Sequence, residues 1–278
     1  MAVMRELVVS AAVAGRLVLL PGATPTAAAA PSTADRVKQI CDMMSDDDPG
    51  IAQKRLAAIT ELGETGSKEL VKLAGSRSPY RDCALEFLVD LRDARVVPII
   101  RRVLRENPPS TLRRAALLGV AVFQDQPSFD KVADAFQEGD LDVKAVAALA
   151  LGSLGDPRGL AMLRSALLDP AYSQIRRSLI VGIGSPGHEE GIDLLLSLSN
   201  EPGYTQSQGG RMGLVLSLAS IGTERSRRAA VDMIASFPEE RVRVELRYQL
   251  VSKFTTQRMA SHDPSEIASI EAVLQELR

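Results

Sequence analysis

What most restricts this chain is a recurring register of apolar positions. With turns read at Gly63, Arg92, Gln124, Gly155, Gly184, Gly222 and Thr255, successive spacings run from 29 to 38 residues. One residue before each turn stand Leu62, Leu91, Phe123, Leu154, Ile183, Ile221 and Phe254, and four before it stand Ile59, Leu88, Val120, Leu151, Ile180, Leu218 and Val251. All fourteen are apolar although only 45% of the chain is; independent placement would give that roughly once in 10⁵. Residues three apart share a helical face, so each pair marks a buried stripe on a first helix. Eight residues after the first six turns come Val71, Ile100, Val132, Leu163, Ile192 and Ala230, which open a matching stripe on a second helix. A unit of two one-sided helices cannot bury both stripes alone, whereas stacked copies can.

The pattern resembles HEAT repeats, especially the short bacterial form of about thirty residues that also occurs in phycobilin lyases. It covers residues 50 to 255, and its best copy is 142 to 170, with Asp142-Val143-Lys144 at the start and Gly155-Asp156-Pro157 at the turn. The resemblance implies an all-α, right-handed α-solenoid of about seven helix-turn-helix HEAT-like repeats. Eleven residues before four of the turns stand Arg81, Arg113, Lys144 and Arg211. This row reads as architecture, hydrogen-bonding to the next layer. Arg92 and Gln124 stand where the repeat favours a turn glycine. The expected organisation is a leader over 1–30, an N-terminal capping helix and linker over 31–49, the solenoid over 50–263 and a C-terminal capping helix over 264–278.

The leader carries LVVSAAVAG and RLVLL ahead of the small-residue run ATPTAAAA. It resembles a secretory signal peptide, so export to the periplasm or beyond is expected, with a cytoplasmic chain as the alternative. No segment has the apolar length of a membrane-spanning helix. Cys41 and Cys83 are too few for a disulfide framework or a zinc site and read as two small buried hydrophobes. If the chain is exported, they can pair once their Cα atoms come within about 7 Å.

Thirty-three basic and 35 acidic residues give a net charge of −2, which creates no field to gather nucleic acid or an anionic membrane. The absence of Trp also counts against the HEAT-like DNA glycosylases, whose basic faces carry aromatics. GIGSPG over 182–187 matches a dinucleotide fingerprint, but Ile180 and Ile183 already hold helical register, so it reads as an inter-helix turn. GETGSK over 63–68 lacks phosphate-loop spacing, and Asp46-Asp47-Asp48 lacks the later ligands of a calcium loop. His188 and His262, each followed by an acid, read as surface turn residues. Deoxyhypusine hydroxylase, a HEAT-type enzyme, builds a di-iron centre from several His-Glu pairs, and one such pair cannot supply it. No GxSxG elbow marks a nucleophile.

HEAT arrays are expected to line their concave face with second helices, whose polar positions here include Lys72, Arg101, Arg105, Lys131, Asp134, Arg164, Asp193, Arg228 and Asp232. Mixed signs favour a protein or peptide partner, with Arg101, Arg105 and Arg164 as contact candidates. The expected function is a non-catalytic scaffold with no cofactor, no metal, no nucleic acid and no small molecule. The alternative is a HEAT-type lyase or accessory enzyme acting on a prosthetic group or modified protein. The segment 199–210 reads as a tolerated insertion ahead of a binding loop.

Overall fold

A computed structural model describes residues 31–43, 49–186, 188–201 and 208–277. The expectations for the 1–30 leader, for Asp46-Asp47-Asp48 and for most of the 199–210 segment lie outside them. Among the described residues there are fifteen α-helices and no strand. A leading helix α1 (Thr33–Asp42) precedes seven helix pairs. These are α2 (Pro49–Glu61) with α3 (Gly63–Gly75), α4 (Arg81–Asp90) with α5 (Val97–Arg105), α6 (Ser110–Phe123) with α7 (Phe129–Glu138) and α8 (Leu141–Leu154) with α9 (Pro157–Leu168). They continue as α10 (Arg176–Ile183) with α11 (Gly191–Leu198), α12 (Gln208–Ile221) with α13 (Glu224–Ala235) and α14 (Glu240–Ala260) with α15 (Pro264–Leu277).

The turns are left-handed where the register places them. Gly63, Gly155 and Gly222 have φ of +55°, +68° and +83°, and Arg92 and Gln124 adopt the same region at +52° and +49°. A side chain there costs about 1–2 kcal/mol against glycine, which helix packing on both sides must offset. The residue after the turn then caps the second helix. Asp156 accepts from the Arg158 backbone N–H with Pro157 in the first helical turn, and Thr223 forms a capping box with Ser226.

Two turn assignments need correction. Gly184 caps α10 at φ −79° without a left-handed bend. Thr255 lies inside α14, which runs unbroken to Ala260; no helix breaker occurs before Pro264, and Val251 and Phe254 simply continue its packed face. The seventh pair is therefore α14 with α15, so the closing helix expected over 264–278 is the second half of a repeat. Of the fourteen register positions ten are buried, and Leu62, Leu91, Phe123 and Val251 are half-buried against the same core.

The two rows of helices are packed differently. The first helices α4, α6, α8, α10, α12 and α14 stack directly on one another in sequence. Small residues permit it: a Cβ on Gly152 would collide with the backbone of Gly182, one on Gly182 with the Ala148 carbonyl, and one on Gly184 with Ser217. Among the described residues, no comparable packing joins α5 to α7, α7 to α9 or α9 to α11. Through the middle of the array the first helices, not the second, therefore make the closer layer-to-layer contact, and at the C-terminal end the second helices α13 and α15 pack on each other as well.

At the N-terminal end Cys41 of α1 and Cys83 of α4 form a disulfide with a Cα–Cα distance of 5.9 Å, both residues being buried. They are a covalent staple, not the two separate hydrophobes expected. At the other end the buried Arg227 guanidinium donates to the Gly222 carbonyl and to Ser269 of α15, with Glu266 at 3.6 Å.

Candidate partner-binding surface

The second-helix face is largely occupied by its own charges. Arg101 on α5 donates two bonds from Nε, at 3.0 and 3.1 Å, to Asp125, which is 5% exposed. Asp125 also accepts from Ser128 Oγ at 2.6 Å. The arginine expected to meet a partner is thus the counter-ion of a carboxylate in the next turn. Arg95 reaches Glu64 of the preceding repeat at 2.8 Å, Arg158 reaches Asp130 at 3.8 Å and Arg225 reaches Asp193 at 3.3 Å. Lys131 pairs with Asp134 and Arg228 with Glu276. Arg105 and Arg164 are exposed and make no ion pair among the described residues, but they sit on α5 and α9 with α7 between. The structure does not bring the three predicted contacts into one site.

Hydrogen bonding to Arg101, more than any other influence, holds the Asp125 carboxyl below the usual aspartate range, and Ser128 acts in the same direction. A depressed folded-state value means the contribution is present above the unfolded pKa, about 4, and is lost as pH falls through the folded value. Asp125→Asn should leave a stability profile flatter between pH 5 and 2 than that of the parent, with denaturant midpoints as the readout; parallel profiles would refute the coupling.

The basic row acts as inter-repeat architecture. Arg81 donates to the Ala74 carbonyl at 3.2 Å and to Glu106 at 2.8 Å. Lys144 lies 5.1 Å from the Tyr172 ring centre, and Arg211 lies over Phe237 with Glu239 at 3.6 Å. Arg113 is half-buried. Counting back from position 187 instead of 184 adds Arg176 to this row and brings Arg177 and Val181 level with Arg114 and Leu118.

That register exposes the face the second-helix expectation overlooked. Ten and six residues before the turns stand Arg114 and Leu118, Ala145 and Leu149, Arg177 and Val181, and Met212 and Leu216. Residues four apart project together from one helical face. Of the ten large apolar side chains exposed among the described residues, Leu56, Leu118, Val122, Leu141, Val181, Val244, Tyr248 and Met259 lie on first helices. Tyr248 is 74% exposed. The sequence signal was this pair of apolar or basic positions at a spacing of four, recurring where a solvated helix face would carry mixed polar residues.

A cavity of about 540 Å³ opens on this face between α10, α12 and α14, lined by Arg176, Arg177, Val181, Met212, Leu216, Gln249 and three glycines of α12 among others. A second hollow of about 440 Å³ lies beside Gly155, with His188, Glu189, Glu190, Asp193 and Arg225 on its wall. His188, expected on the surface, is 6% exposed, and neither ring nitrogen makes a hydrogen bond. Burial pushes its pKa down, with the Glu190 carboxylate and the Gly152 backbone opposing. His262 is exposed. Among the described residues no group of three or more His, Cys, Asp or Glu is arranged to hold a metal, and no helix is long and apolar enough to cross a membrane.

Residues 103–184 match the family model described as HEAT repeats. No curated protein matches the sequence. Among solved structures, the complex of CpcE and CpcF of phycocyanin lyase from Nostoc sp. PCC7120 superposes with a TM-score of 0.52 at 17% identity, covering 93% of this chain and 100% of that one. Human deoxyhypusine hydroxylase in complex with glycerol aligns with a TM-score of 0.33 at 18% identity, over 88% and 96% of the two chains. An engineered protein aligns with a TM-score of 0.33 at 15% identity, over 87% and 96%. The chain is a HEAT-like repeat protein, matched at family level over residues 103–184 and built from the same stacked helix pairs on either side.

Proposed function

We propose that the chain is a non-catalytic scaffold that holds a partner protein along its first-helix row. The observation that carries this reading is the placement of exposed apolar side chains on the first helices α6, α10 and α14, while several charges of the second helices pair with one another. Exposed apolar side chains gathered on one row of helices are a costly surface for an unpartnered protein and are the composition of an interface core. The fold neighbour from phycocyanin lyase is itself a complex of two chains, which supports a protein as the partner. Arg105 and Arg164 act in this reading by steering the encounter, without anchoring the complex. The Cys41–Cys83 disulfide supports work in an oxidising compartment, in keeping with the signal-like composition of residues 1–30.

The test is photo-crosslinking from Leu118, Val181 and Tyr248 in the native host, followed by mass spectrometry. One protein linked reproducibly to all three positions is the expected result. A preparation that instead carries a tightly bound visible chromophore, with no protein linked to any of them, would replace the scaffold by the lyase-type alternative.

A further inference from the structure

Gly213 has no backbone or packing reason to be glycine. Gly63, Gly155 and Gly222 need positive φ, and Gly152, Gly182 and Gly184 face neighbouring backbone or Ser217 too closely for a side chain. Gly213 sits inside α12 with ordinary helical geometry, and a Cβ there would meet nothing within 4 Å among the described residues. A helix-interior glycine is less favourable than alanine, so this position departs from the local rule with no structural gain. Such departures concentrate at functional sites. What the missing side chain leaves open is the cavity of about 540 Å³ on the first-helix face.

The wall of that cavity has a definite chemistry. Ile180, Val181, Met212 and Leu216 supply apolar surface, and among the described residues no Asp or Glu lines it. Arg177 stands at its side, exposed, with no carboxylate partner among the described residues. Elsewhere in the array arginines at the repeat junctions are matched by acids: Arg81 by Glu106, Arg95 by Glu64, Arg101 by Asp125 and Arg225 by Asp193. A cavity with an apolar floor, one open guanidinium and no acid is complementary to an apolar group carrying a carboxylate beside it.

We propose that this cavity is the anchor point of the partner: it takes one apolar side chain from an acidic segment of that protein, and Arg177 receives an adjacent carboxylate. This rests on the scaffold reading and names the chemistry the client must present.

The probes are fluorescein-labelled nonapeptides with a central Glu-Leu-Glu, Lys-Leu-Lys or Glu-Ser-Glu in a Gly/Ser background, titrated with the full chain and followed by fluorescence polarisation. Glu-Leu-Glu should saturate, and the other two should bind at least about tenfold more weakly. Gly213→Leu, which fills the cavity, and Arg177→Glu, a surface change that leaves the fold intact, should each weaken Glu-Leu-Glu by at least about fivefold, and Lys72→Glu should not. Undiminished binding to Gly213→Leu, equal binding of the basic peptide, or the absence of saturation by any peptide overturns the proposal. Saturation by decanoate with none by peptide also overturns it, in favour of a free amphipathic acid. If a partner is cross-linked in cells to wild type and Gly213→Leu alike, the anchor fails while the scaffold stands.

Discussion

Replacing Cys41 and Cys83 together by alanine should lower the stability of the N-terminal repeats by about 4 kcal/mol, the loop-closure value for a separation of 42 residues. The end of a solenoid has a neighbour on one side only, so α1 rests on few partners: Val37 and Ile40 are buried, and the helix packs on α2 and α3. The disulfide also ties it to α4, one repeat further in. In the unfolded chain the crosslink removes conformations that span both helices of the first pair, which is where most of its stabilisation originates. Urea unfolding with and without reductant reads the effect. The wild-type midpoint should fall to that of the double variant when reductant is added. Midpoints that coincide throughout would mean that the pair does not hold the N-terminal end.

Gly152→Ala should cost about 3 kcal/mol, near the upper end of ordinary overpacking, because the added methyl meets the Gly182 carbonyl and Ser185 Oγ instead of a flexible side chain. Relief requires α8 and α10 to move apart, and α8 is held on its other side by α6. Interiors packed to crystal density transmit such a displacement to the next layer. Gly213→Ala, on the neighbouring first helix α12, is the matched control: it should be neutral or stabilise by up to about 1 kcal/mol, since it restores helix propensity where there is room. Thermal midpoints of the two variants should move in opposite directions or differ by many degrees. Equal shifts would show that the first helices are not in backbone contact.

Much of the fold was legible because helical burial repeats in sequence. Ile59, Leu88, Val120 and Leu151 are apolar for the same reason that they are buried, each being a contact between one layer and the next. The turn at Thr255 was not legible in that way. A long helix and a helix-turn junction both keep an apolar face at three-residue spacing, and only the first breaker, Pro264, separates them. Gly184 misled for a related reason: glycine serves a left-handed turn and a close helix crossing equally, and here it serves the crossing.

The candidate surface was less legible. Arg101 carries the charge expected of a partner contact, but its role depends on Asp125, 24 residues away in sequence and brought beside it by the turn between α6 and α7. The close stacking of the first helices follows from small residues such as Ala148, Gly152, Gly182 and Gly184 clustered on facing surfaces. That signal was present in the sequence, though it acquires meaning only once the helices are known to be neighbours. His188 was misplaced because a polar residue in a turn is ordinarily solvated, and nothing local announces that it is buried.

The most direct test of where the partner sits is to measure its affinity, once it has been recovered by crosslinking, for two surface variants of the full chain. One carries Leu118→Ser, Val181→Ser and Tyr248→Ser on the first helices, and the other Arg105→Ser and Arg164→Ser on the second. The triple variant should bind at least about tenfold more weakly, and the double variant should keep its equilibrium affinity while associating more slowly at low salt. Loss of affinity in the double variant with full binding by the triple would place the partner on the second helices and contradict the account.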